Sequence, residues 1–229
     1  MFSHLYIWLA LYFLCWWIFL FLWRKDYRSE MLTMGLIGIV LGPLVEFMHL
    51  TDWWHPLFIF NNFLIRPEDV IFGFSIAGVS AVIYQELRAI KEFQQNKLIP
   101  TKKYELLVLL IGLFTLFGLY IFFGVHSFWT SILCLITTAL LVLIKRRDLF
   151  YSMFFSGILI TGIAIPFYIF ALHINPFWFQ QEWFLGKLSG IFFLNIPIEE
   201  LVWYFFIGLT FSAMWEFMNG LKFVFKKRV

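Results

Sequence analysis

Two acidic steps interrupt a sequence that is otherwise apolar. Arg66-Pro67-Glu68-Asp69-Val70-Ile71-Phe72 and Pro197-Ile198-Glu199-Glu200-Leu201-Val202-Trp203 each open a long apolar segment. A carboxylate at membrane depth is costly and marks a functional position by default. Adjacent helical residues point about 100° apart, so one acid of each pair is expected to face the interior. The positive end of the helix favours an ionised carboxyl, and burial among Phe, Trp and Tyr favours a neutral one. That contest can leave one carboxyl neutral and another ionised, which is what general acid–base chemistry needs. Glu68, Asp69, Glu199 and Glu200 are the candidate catalytic residues. The competing reading of each pair is helix capping by first-turn acids.

Phe72, Trp203 and Tyr204 fall within a turn of these acids, where aromatic faces can stabilise a carbocation. Glu46 and His49 form a Glu-x-x-His pair on one face of a helix, a pattern seen in carboxylate-bridged metal sites. With His173 and the acidic steps, and with His55 nearby, they could assemble a metal site. The favoured reading is that they hydrogen-bond the bundle, so no metal is assigned. There is no G-x-G-x-x-G after a strand, no P-loop and no HExxH, and nucleotide and zinc-protease chemistries lapse.

These residues sit in a chain of 229 residues that is 62% hydrophobic and 14% charged, with a mean hydropathy of +0.85. Soluble domains carry about 25% charged residues, so the composition implies an all-α polytopic membrane protein. The net charge of +3 does not indicate nucleic acid, because the basic residues lie in short connections. Cys15 and Cys134 lie inside apolar segments and are expected to be small buried hydrophobes without a disulfide. The first apolar segment lacks a basic n-region and a small-residue cleavage site and is expected to be a retained span.

Apolar runs of about 18 residues or more place spans near 4–23, 31–50, 68–88, 104–124, 126–144, 150–172 and 198–221. Ser29 and Thr101 are candidate caps, and Pro67 and Pro197 stand where a helix start tolerates a missing N–H. The connections 51–66 and 173–196 are rich in Trp and Phe, and are expected to be interfacial or re-entrant. Trp53, Trp54, Trp129, Trp178 and Trp183 are expected in an interfacial belt. Gly35, Gly38, Gly42, Gly73 and Gly78 are read as close helix packing.

Of the 17 Lys and Arg residues, all but Arg66 and Lys187 fall in the connections after spans 1, 3 and 5 and after span 7. The positive-inside rule makes those connections cytoplasmic, the start of the chain external and its end cytoplasmic. Both acidic steps then lie near the outer face. The order of features repeats. Arg24-Lys25-Asp26 matches Arg146-Arg147-Asp148, Pro43 matches Pro166, Glu68-Asp69 matches Glu199-Glu200, and Tyr84-Gln85 matches Trp215-Glu216. Two three-span units flanking one linking span point the same way, a parallel 3+1+3 repeat. The expected units are 1–90, 91–125 for the linker and linking helix, and 126–229. Gly73, Ala77 and Gly208 are expected to let spans 3 and 7 approach closely.

This pattern resembles the integral-membrane lycopene cyclases of bacteria and archaea, in the form that fuses two three-span units. The resemblance rests on Pro197, Glu199, Glu200 and Trp203-Tyr204-Phe205-Phe206. It extends to Pro67, Glu68, Asp69 and Phe72, with Asp52 and Trp54 upstream, and covers nearly the whole chain. It departs where Pro67 abuts Glu68 directly and where Trp203-Tyr204 replaces paired Phe. It implies redox-neutral cyclisation of a carotenoid end group through a carbocation, by an intramolecular lyase or isomerase that needs no cofactor. The implied setting is a bacterial or archaeal inner membrane, with a polyene or isoprenoid substrate, lipids around the chain and room for a homo-oligomer. Trp203, Tyr204, Phe72, Trp54, Glu46 and Asp52 are the expected substrate-binding residues. The rival readings are a non-catalytic carotenoid- or prenyl-lipid-binding subunit and a 3+1+3 sugar transporter of the SWEET type.

Overall fold

A computed structural model describes residues 4–60, 63–87, 92–95 and 101–224. Arg88, Lys91, Lys97, Lys226, Lys227 and Arg228, which entered the charge argument above, lie outside them. The chain runs α1 (Leu5–Trp23), a 3-10 turn (Lys25–Tyr27), α2 (Arg28–Asp52), α3 (Pro67–Leu87) and β1 (Glu92–Gln95). It continues through α4 (Lys102–Leu113), a π-helical turn (Phe114–Gly118), α5 (Leu119–Phe123), α6 (Ser127–Lys145) and a 3-10 turn (Arg147–Leu149). It ends with α7 (Phe150–Ile174), α8 (Trp178–Glu182), β2 (Phe192–Phe193), β3 (Ile196–Pro197), α9 (Ile198–Asn219) and β4 (Leu221–Val224). Among the described residues, seven helical stretches are long and apolar enough to cross a membrane: α1, α2, α3, α4 with α5, α6, α7 and α9. The protein is an all-α polytopic membrane protein. Thr101 caps α4 by accepting from the Tyr104 N–H, whereas Ser29 lies inside α2, because the 3-10 turn already starts that helix.

α1, α3, α7 and α9 carry no amphipathic period, because lipid replaces water on their outer faces. In α1 the buried Leu5, Leu9, Phe13, Trp17 and Leu20 form one stripe, yet the opposite face still carries Trp8, Ile18, Phe19 and Leu22. Without a hydrophobic contrast between faces, helix pairing depends on small residues that let backbones approach. A Cβ on Gly38 of α2 would stand 2.1 Å from the Gly73 carbonyl oxygen of α3. A Cβ on Gly208 of α9 would stand 2.6 Å from the Ser156 carbonyl oxygen of α7. Gly73 and Gly208 therefore serve the α2–α3 and α7–α9 pairs, and Ala77 faces Gly38. This corrects the expectation that these three sit between spans 3 and 7. α3 and α9 still pack against each other, and α3 also meets α1 and α7.

One end of the bundle gathers the basic turns. Arg24 holds Asp26 and Glu86, and the fully buried Arg146 holds Asp148 and donates to the carbonyls of Glu216 and Leu221. β1 pairs antiparallel with β4 at the same end, from Glu92–Val224 to Gln95–Leu221. The opposite end is closed by the two aromatic connections, which bond to each other. The His55 N–H donates to the Glu182 carbonyl (2.6 Å), and the Phe184 N–H donates to the Trp53 carbonyl (3.0 Å). Trp53, Trp54, Trp178 and Trp183 are buried in this cap, and Trp129 alone of the five stays exposed. The expected belt is thus mostly a packed lid, because the two connections cover each other. Cys134 is half-buried and Cys15 is exposed on its apolar helix, contrary to the expectation that both are buried. A cysteine facing lipid meets no penalty that would force it inward.

Candidate active site

The acidic pairs divide their labour as helical geometry requires. Glu68 turns towards the preceding connection, where its Oε1 accepts the Ile59 and Phe60 N–H groups (2.8 and 3.2 Å). Glu199 does the same with the Ser189 N–H (2.6 Å). The second acid of each pair turns into the bundle. Asp69 Oδ1 accepts from the Tyr6 hydroxyl (2.9 Å). Glu200 accepts from Trp183 Nε1 on one oxygen and from the Tyr168 hydroxyl on the other, both at 2.7 Å. Tyr168 and Tyr204 hydroxyls are 3.3 Å apart, extending that chain of polar groups across α9.

Glu46 completes the inner set from α2. Its Oε2 accepts from Trp54 Nε1 (3.2 Å), and its Oε1 has no hydrogen-bond partner among the described residues. His49, one turn on, bonds Ser131 through Nε2 (2.9 Å). All of these side chains are buried.

A cavity of about 900 Å³ runs along the interior from this acidic end. Tyr6, Glu46, His49, Asp69, Phe72 and Trp203 line its head, and Thr33, Lys102 and Glu105 its far end. From Thr33 to His49 it follows roughly 24 Å of helix at about 1.5 Å per residue. The intervening wall is almost wholly aliphatic or aromatic. A second cavity of about 30 Å³ adjoins it, lined by Glu46, His49, Phe72 and Trp203 in common and by Trp54, Tyr168, Glu200 and Tyr204. Phe72 and Trp203 stand between the two as a stacked pair, with ring centroids 6.1 Å apart and planes 15° apart. Tyr204 stacks in turn on Phe13 (5.7 Å, 6°).

Of the residues expected from sequence, Asp69, Glu46, Phe72 and Trp203 meet at the large cavity, and Glu200, Tyr204 and Trp54 at the small one. Glu68 and Glu199 hold loop backbone instead. Asp52 stands apart from both cavities. It caps α6, accepting the Ser127 N–H (3.0 Å) and the Ser127 hydroxyl, and its own carbonyl bonds His126 (3.0 Å). Tyr6 and Tyr168, which orient the inner carboxylates, gave no sequence signal beyond a phenol within an apolar helix. A further buried cluster joins Gln85 Nε2 to Glu30 Oε1 (2.9 Å) and Glu216 Oε1 (2.6 Å) near the basic end. Among the described residues no group of three or more His, Cys, Asp or Glu side chains could hold a metal ion. In the cap, burial pushes the Glu182 carboxyl up to about 7.

An aromatic chamber with several inward carboxyl groups at the end of a long apolar channel suits acid–base chemistry on a hydrocarbon. The enclosing helices exclude water, and fixed carboxyls can give and take protons there. Searches of curated proteins and of solved structures found no match. The family model described as Lycopene cyclase matches residues 126–218, which run from the cap of α6 through most of α9 and include Glu199, Glu200 and Trp203. Over those residues the chain is similar to the lycopene cyclase family.

Proposed function

We propose that this chain cyclises an end group of a linear carotenoid by proton transfer alone. The observation that carries this reading is the meeting of Glu46 and Asp69 with the Phe72–Trp203 stack at the head of the apolar cavity. A protonated carboxyl there adds its proton to the terminal double bond. The neighbouring alkene attacks the resulting cation and closes the ring, and a carboxylate removes a ring proton to restore a double bond. One proton enters and one leaves, so the product is an isomer. The aromatic faces stabilise the cation between those steps, an interaction of about 0.5–2 kcal/mol each. Glu46 and Asp69 are the exchanging pair in this reading. Glu200, saturated by two donors, holds the wall formed by Trp203 and Tyr204.

The 3+1+3 arrangement belongs to the same proposal. It is supported by the glycine-packed α2–α3 and α7–α9 pairs, by Pro43 and Pro166 inside helices of equal length, and by the matching Arg24–Asp26 and Arg146–Asp148 bonds. The units are 1–90 and 126–229 around 91–125. The basic end is placed in the cytoplasm by the distribution of Lys and Arg.

The test is expression in a lycopene-producing host, followed by pigment extraction. Ring-bearing products of unchanged mass are expected, and they should vanish with Asp69→Asn. Unchanged lycopene from a host in which the chain is well expressed in the membrane would reject the cyclase reading, and lycopene co-purifying with the chain would then favour a binding role.

A further inference from the structure

We infer that the large cavity opens sideways into the bilayer between α2 and α4, and that this gap admits a linear isoprenoid chain lacking a polar head. The inference rests on the cyclase reading for the identity of the guest, and on the helix geometry for the opening.

α2 and α4 form two sides of the cavity with little packing between them. α4 instead packs on α6, through Gly112 against Thr138 and through the Tyr104 hydroxyl, which donates to the Leu141 carbonyl (2.6 Å). Past the π-helical turn the α2 side and the linking helix are pinned together, where the Thr51 and Tyr120 hydroxyls bond at 2.7 Å. That turn, Phe114–Gly118, inserts its wider loop between α5, pinned to α2, and α4, which rests on α6. Such turns recur at functional positions.

Four cavity-lining residues form the rims. Leu36 and Val40 on α2 are 60% and 58% exposed, and Leu106 and Leu109 on α4 are 54% and 56% exposed. A residue that lines a cavity and is more than half exposed stands at its edge, so these side chains frame a mouth. They lie about 6–18 Å along their helices from the basic end, at about 1.5 Å per residue. That depth falls within a hydrocarbon core about 30 Å thick. The mouth therefore faces acyl chains.

The rim also selects its guest. All four rim side chains are aliphatic, and the nearest charged pair, Lys102 with Glu105, bonds within itself through Glu105 Oε2 at 2.9 Å. A phospholipid passing here would drag its head group through hydrocarbon with no partner, at a cost of several kcal/mol. A headless isoprenoid meets no such cost. It would slide in end first and bring that end to Glu46 and Asp69.

The test uses the full chain in lipid nanodiscs, with a benzophenone amino acid replacing Leu109 at the rim or Leu22, a lipid-facing residue of α1 that is 65% exposed. Lycopene or the saturated isoprenoid squalane is dissolved in the bilayer, and adducts are counted by mass spectrometry after illumination. Isoprenoid adducts at position 109 are expected to exceed those at position 22 at least tenfold. Val40→Trp, and separately Leu106→Trp, should cut them at least fivefold. Equal adduct yields at 109 and 22, or phospholipid adducts dominating at both, would overturn the mouth. So would adducts indifferent to both Trp variants. Selective adducts without cyclic product would keep the mouth and reject the cyclase. Cyclic product without selective adducts would keep the cyclase and reject the mouth.

Discussion

The two acidic steps look alike in sequence and differ in what surrounds them. Asp69 is held by one phenol and borders a cavity of about 900 Å³. Glu200 is held by a phenol and an indole and borders about 30 Å³. A carboxyl with room beside it can exchange a proton with a guest. A carboxyl whose oxygens are both occupied resists change and fixes its neighbours. Two steps of similar sequence can thus differ in setting, one carboxyl beside open space and the other fixed in place.

The sharpest way to break that contrast is to neutralise both acids. Asp69→Asn and Glu46→Gln are expected to lower cyclic product per chain by about 10²–10⁴-fold, the usual worth of general acid–base catalysis. Glu200→Gln should lower it about tenfold, equivalent to about 1.4 kcal/mol of misplaced wall. Chromatography of pigments, normalised to membrane-inserted protein, measures both. Equal losses would make the two halves equal partners in the chemistry.

Next in size are the glycine contacts. Gly38→Ala drives a methyl into the Gly73 carbonyl and should destabilise the bundle by about 3 kcal/mol. Gly208→Ala meets the Ser156 carbonyl at a slightly longer approach and should cost about 1.5 kcal/mol. Reversible unfolding in mixed micelles compares them, and a reversed order would show that the second half packs more tightly. Smaller still is the effect at the first acids. Glu68→Gln and Glu199→Gln keep an acceptor for the loop N–H groups and should cost about 1 kcal/mol or less each, with cyclisation retained. Loss of activity in either would return those acids to the chemistry.

A pH effect of smaller size is expected from Glu182 in the lid. Its carboxyl sits at about 7 in the folded chain, above the ordinary glutamate value, because burial disfavours its charge. The folded state thus binds the proton more tightly than the unfolded one. Its contribution to stability is full at low pH and declines as pH rises from about 4.5 to about 7. Protease resistance of the lid should fall modestly over that window, and Glu182→Gln should flatten the decline. A lid that tightens with rising pH would contradict this assignment.

The spans and the paired acids were legible in the sequence because length, hydropathy and charge placement act locally. The division within each pair followed from helical geometry alone. What sequence hid was long-range: Asp52 read as a substrate contact until α6 was seen to begin on it. Trp53, Trp54, Trp178 and Trp183 read as a belt until two distant connections were seen to bond to each other. Gly73 and Gly208 were recognised as close-packing residues, but their partners could not be chosen, because every face of a membrane helix is apolar. The cavity itself left no motif, since an aliphatic wall reads the same as a lipid-facing one.

The pairing of β1 with β4 bears on how the chain is made. Glu92 leaves the ribosome long before Val224, its partner. The first three helices can insert and settle as a unit while the strand after them waits without a mate. The bundle is laced shut at its basic end only when the ninth helix has been delivered, so biogenesis closes on a contact of very long sequence separation. Such contacts form late and slowly. A deletion of Leu221–Val224 should therefore leave insertion intact and slow the final locking of the bundle.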